Sequence, residues 1–108
     1  MPRRLANRSI ETPRILIADD DPLFRESLSG NLLDSGYNIE GFPDGEKILD
    51  WFGKGNDGDL ILLDWKMPKI NGIEVLRRLR ERGCDIPVIF LTVLTDQFYE
   101  EAALHGGA

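Results

Sequence analysis

The chain is short of several residues that would open chemical options. Cys84 is its only cysteine, so it closes no internal disulfide. A reducing cytoplasm fits that usage best, and Cys84 reads as a plain structural or surface thiol. His105 is the only histidine. With no partner motif beside it, His105 reads as a helix-end residue. Basic residues are the minority, 13 Lys and Arg against 19 Asp and Glu, giving a formal net charge of −6. Nonspecific nucleic-acid binding rewards clustered Lys and Arg, so direct nucleic-acid binding by this chain is not expected. No apolar run approaches the length of a membrane span, and no membrane partner is expected. Residues 1–13 carry Arg3, Arg4 and Arg8 without an apolar stretch. They are expected to form a flexible tail, not a secretory signal. Internal repeats and low-complexity tracts are absent.

What is present is an ordinary globular balance, with 42% hydrophobic and 30% charged residues in 108. That length suits one modest domain with one core, expected over residues 14–108. Apolar runs alternate with amphipathic segments of helix length. The first strand is expected over 14–19. Asp21 then offers a helix cap, with Pro22 at the first helical position. Leu23, Phe24, Leu28, Leu32 and Leu33 form an apolar stripe at helical spacing, and Gly36 offers a stop. A strand over 37–42 follows. Asp44 opens a second helix whose Ile48, Leu49, Trp51 and Phe52 read as core. The run 53–58 is loop chemistry. A third strand covers 59–64, a third helix 72–82 with Ile73, Val75, Leu76 and Leu79 inward, a fourth strand 86–91 and a fourth helix about 96–105. This alternation calls for right-handed crossovers and a mainly parallel sheet with helices on both faces.

The acids carry the functional signal. Leu60-Ile61-Leu62-Leu63 reads as a buried parallel strand, and it ends in Asp64. Ile15-Leu16-Ile17-Ala18 ends in Asp19-Asp20-Asp21. Carboxyl ends of strands are where open α/β sheets place ligands. Two neighbouring strands ending in acids would build one acidic pocket. Like charges about 4 Å apart repel by roughly 4 kcal/mol at an effective dielectric near 20. A hard divalent cation is the natural way to offset that repulsion. Asp21 is better explained as a cap than as a ligand.

Four pieces, in order, resemble the receiver domain of bacterial two-component response regulators. They are Ile15-Leu16-Ile17-Ala18-Asp19-Asp20-Asp21, then Leu62-Leu63-Asp64-Trp65-Lys66-Met67-Pro68, then Gly72, then Val88-Ile89-Phe90-Leu91-Thr92. The resemblance covers most of residues 14–108. It implies a flavodoxin-like, doubly wound parallel sheet of strand order 2-1-3-4-5. It implies that Asp64 is the phosphoacceptor and that Asp19, Asp20, Asp64 and the backbone carbonyl of Lys66 hold Mg2+. Thr92 would be the switch hydroxyl that binds a phosphoryl oxygen. The implied partners are a sensor histidine kinase or phosphotransfer protein and an output domain or effector outside this chain. The chain would be a phosphoacceptor and not a turnover enzyme.

The resemblance stops short at one end. The family carries a lysine and a switch aromatic on a fifth strand, followed by a fifth helix. No residue here matches either, and Lys66 and Lys69 lie in the wrong loop to stand in for that lysine. The expectation is a receiver domain lacking its last strand and helix. An exposed sheet edge invites pairing, so self-association is expected as well. A protein-interaction or dimerisation module that does not switch is the alternative. A phosphohydrolase built on Asp19 and Asp21 is a third reading, but Pro22-Leu23 follow where such enzymes carry a glycine and a hydroxyl residue, and it leaves Asp64 unexplained.

Overall fold

The computed structural model describes residues 12–91. Within them β1 (Arg14–Ala18), α1 (Pro22–Asp34), β2 (Asn38–Phe42), α2 (Gly45–Gly53), β3 (Leu60–Asp64), α3 (Gly72–Glu81) and β4 (Val88–Leu91) follow in that order. The four strands form one parallel sheet of order β2-β1-β3-β4. This matches the expected doubly wound architecture as far as the described residues reach. The fourth helix expected near 96–105 and residues 1–11 of the tail expected over 1–13 lie outside them, while the carbonyl of Pro13, at the end of that tail, accepts from the amide of Asn38 at 3.0 Å.

The two central strands read as unbroken apolar runs because both of their faces are covered. Alternate side chains go to opposite faces. Leu16, Ala18, Phe42, Ile61, Leu63 and Val88 go to the face covered by α2 and α3, where they meet Ile48, Leu49, Val75, Leu76, Leu79 and Ile86. Trp51 and Phe52, expected as core, are half-buried against this cluster. Ile15, Ile17 and Leu62 go to the other face, where Leu28 and Leu32 of α1 pack on them.

The helix ends follow local chemistry. The Asp21 carboxylate accepts from the amides of Leu23 and Phe24, and Pro22 begins α1. Asp44 accepts from the amide of Lys47 and begins α2. Asn71 accepts from the amide of Glu74 and begins α3. Beyond α1 and α3 the chain turns through Gly36 and Gly83, with φ of 96° and 81°, a region glycine enters without steric cost.

The first helix departs from the expected stripe. Its inward positions are Arg25, Leu28, Ser29 and Leu32, while Leu23 and Leu33 are 77% and 54% exposed and Phe24 is also largely exposed. On its inward side Arg25 reaches the end of the sheet, where Nη1 donates to the carbonyl of Asp19. Its aliphatic stem lies over Gly41, where an added Cβ would sit 3.3 Å from Cδ of Arg25. A long basic side chain thus buries its stem and keeps its charge at the rim.

Candidate functional site

Strand register builds the site. Ile17 pairs with Leu62 and Ala18 with Leu63. One more step along the same register sets Asp19 beside Asp64, on strands that lie about 4.8 Å apart. Oxygen atoms of Asp19, Asp20 and Asp64 all lie within 4.8 Å of one another. Carboxylates 45 residues apart in sequence therefore converge at the C-terminal edge of the sheet. Asp21 lines the same cavity, but its side chain is engaged by the α1 cap. That engagement weighs against the phosphohydrolase reading, which needs Asp21 as a working acid.

Asp19 is held from three sides. Its amide donates to the carbonyl of Phe42 at 3.1 Å. Its carboxylate Oδ1 accepts from the amide of Asp21 at 2.8 Å. Its carbonyl accepts from Nη1 of Arg25 at 2.5 Å. It is 5% exposed, Asp20 is open to solvent and Asp64 is intermediate. Burial raises the pKa of Asp19 above its ordinary 3.8, against the amide of Asp21, which lowers it. Burial, then the charges of Asp19 and Asp20, push Asp64 up to about 6. Each of these shifts reports negative charge crowded into partly dry space.

The acids share an open cavity of about 440 Å³ with Phe24, Phe90 and Leu91. That leaves room for a hydrated cation and a phosphoryl group. Trp65 lies against Phe90, with ring centroids 5.2 Å apart, beside the pocket as its position next to Asp64 implies. Gly72 closes the loop after Asp64. Its amide donates to the carbonyl of Trp65 at 2.8 Å, and an added Cβ would come within 2.5 Å of the carbonyl oxygen of Asp64. Lys66 is exposed. Thr92 lies outside the described residues. The set is all oxygen, with three carboxylates on a rigid sheet edge, and suits a hard divalent cation better than a soft one.

Arg25, Phe24 and Phe90 were not apparent as parts of the site in the sequence. Arg25 had a faint signal, a lone cation six residues beyond a strand-end acid. The two phenylalanines had none, since their place depends on how α1 and β4 meet the sheet edge.

Comparison with known proteins agrees with this geometry. A family model described as the response regulator receiver domain matches residues 15–108. Response regulator MprA of Mycobacterium sp. (strain KMS) is 41% identical over 95 residues, which cover 88% of this chain and 41% of that protein. The chain thus spans less than half the length of the curated relatives it matches. Among solved structures, a Francisella response regulator receiver domain superposes with a TM-score of 0.84 at 30% identity, over 90% of this chain and 79% of the other. Response regulator TrrA from Thermotoga maritima, solved in complex with Mg2+ and BeF, gives a TM-score of 0.77 at 34% identity, over 86% and 80%.

Proposed function

The chain belongs to the response regulator receiver domain family, and from that premise we propose that it is phosphorylated on Asp64 in a Mg2+-dependent reaction. The observation that carries the reading is the convergence of Asp19, Asp20 and Asp64 at one end of the sheet. These three side chains and the backbone carbonyl of Lys66 would hold the ion. When bound, Mg2+ neutralises charge between the attacking carboxylate and the phosphoryl oxygens.

The donor is a phosphohistidine on a sensor histidine kinase or phosphotransfer protein. A carboxylate oxygen of Asp64 attacks phosphorus, and the P–N bond breaks with its electron pair left on the imidazole. The product on this chain is an aspartyl phosphate. Burial and the charges of Asp19 and Asp20 push Asp64 up to about 6 in the ion-free site, and Mg2+ would offset that crowding and leave the carboxylate ionised for attack. Asp19 is oriented by the Asp21 amide and by Arg25. Phe24, Phe90 and Leu91 form the apolar side of the cavity in which the acyl phosphate would sit. Thr92 directly follows Leu91, and its hydroxyl would bind a phosphoryl oxygen. The phosphorylated state would then be read by an output domain or effector. In this role the chain is a phosphoacceptor and not a turnover enzyme.

Borohydride reduction of the acyl phosphate tests the reading. After incubation with a phosphohistidine donor and Mg2+, the label should sit on Asp64 and vanish with chelation or in Asp64→Asn. Label on Asp19, or none on the wild-type chain, would overturn it, and the second result would favour an interaction module that does not switch.

A further inference from the structure

Lys69 is the only residue other than glycine with positive φ among the described residues, at 73°. The amide of Ile70 donates to the carbonyl of Pro68 at 2.9 Å. A bond across three residues with positive φ at the centre makes the rarer, strained form of γ-turn. Glycine would enter this region freely, but a lysine occupies it. Its ammonium is engaged, with Nζ 3.6 Å from Oδ2 of Asp44 and 3.3 Å from Oε1 of Glu46. Both carboxylates stand at the start of α2. Asp44 is buried, and its other oxygen caps the helix through the amide of Lys47. The same junction is fastened by packing: an added Cβ on Gly45 would come within 2.9 Å of Ile70 and 2.5 Å of Val75.

We propose that Lys69 is a positioning residue for the Mg2+ site. Its ammonium ties the irregular segment 65–71 to the start of α2. That tie holds the backbone of Lys66, and through it the end of β3, in the arrangement the ion requires. The inference rests on the Mg2+ site proposed above. It has a distinctive sign. Removing a positive charge from the protein should not, by Coulomb attraction, weaken the binding of a cation. Loss of a positioning contact weakens it.

Calorimetric Mg2+ titration of the wild-type chain, Lys69→Met and Lys69→Arg tests this, with thermal melting in chelator as the readout of folding. Lys69→Met keeps the length of the side chain without its charge. It should bind Mg2+ about tenfold more weakly, the lower end of what groups supporting metal ligands contribute. Its melting in chelator should move little. Lys69→Arg should restore most of the affinity. Lys69→Gly relieves the strained turn, so it folds, and it should show the same loss as Lys69→Met. Affinity equal to or tighter than wild type in either charge-removing variant overturns the positioning role and leaves the Mg2+ site standing. No Mg2+ uptake by the wild-type chain overturns both.

Discussion

The two faces of the sheet are built to different standards. Among the described residues, the face under α2 and α3 carries twelve that are buried, eight of them large side chains shut off from solvent. Among the same described residues, the face under α1 carries three that are buried, Ile15, Ile17 and Leu62, and α1 itself buries none. Ile89 on β4 is 52% exposed on this second face. The acidic site lies at the rim where both faces end. It takes its rigidity from the packed face, through the loop fastened to α2 and α3, and its open wall, Phe24 and Leu91, from the sparse one. The contrast shows how one small sheet can hold three carboxylates in place and still leave access to them.

Substitutions on the two faces should separate most widely in stability. Leu76→Ala on the packed face should cost about 3 kcal/mol in denaturant unfolding. Leu28→Ala on the sparse face should cost only about 1 kcal/mol, because half-burial returns less transfer energy. Equal losses would break the comparison. Gly72→Ala comes next. Its methyl would collide with the carbonyl of Asp64, so about 2 kcal/mol of overpacking is expected, together with weakened Mg2+ binding. Intact Mg2+ binding in that variant would show that the loop yields more easily than its contacts imply. The helix caps follow: Asp44→Ala, buried and paired with Lys69, should cost more than Asp21→Ala, each on the order of 1 kcal/mol.

The pH dependence is smaller and has a definite sign. Asp64 binds its proton near pH 6 in the fold, against an ordinary 3.8. Between those values the folded chain binds more protons than the unfolded one, so stability falls as pH rises through that window. In chelator, melting should therefore occur at higher temperature near pH 5 than at pH 7, and Asp64→Asn should remove most of the difference. Glu74, lowered to about 2 by Arg77 and Arg78, acts in the opposite sense and at lower pH, where its stabilising effect is lost as pH falls below the ordinary 4.5. A flat profile in the wild-type chain would contradict the crowding of charge at the site. Smallest of all, Leu33→Ala on the exposed side of α1 should stay within about 0.5 kcal/mol of wild type.

Much of this was legible in the residues. The buried runs that become β1 and β3 stand out because both their faces are covered. Asp21-Pro22, Asp44 and Gly36 mark helix ends by chemistry that acts within a few residues. The three acids could be paired because parallel strands bring their carboxyl ends to one edge. The Asn71 cap was missed although Asn71-Gly72-Ile73-Glu74 has the spacing of a capping box. The fourth strand begins at Val88 and not at 86, since Pro87 has no amide to donate to the ladder. The apolar stripe of α1 is packed only at Leu28 and Leu32, and Arg25 takes an inward position that hydrophobicity does not signal, because its long stem and charged tip suit the rim. Lys69 could not be paired with Asp44 from the sequence, because that contact spans two loops and depends on one unusual backbone angle. The roles proposed for Thr92, residues 1–11 of the expected tail and the expected last helix lie outside the described residues.

The central claim is that Asp19, Asp20 and Asp64 form one cation site. Calorimetric titration with Mg2+ at pH 6, repeated in buffers of different ionisation enthalpy, tests it most directly. The account predicts saturable Mg2+ uptake with release of protons, abolished in Asp64→Asn and strongly weakened in Asp19→Asn. Absence of uptake by the wild-type chain, or uptake unchanged in both variants, would contradict it.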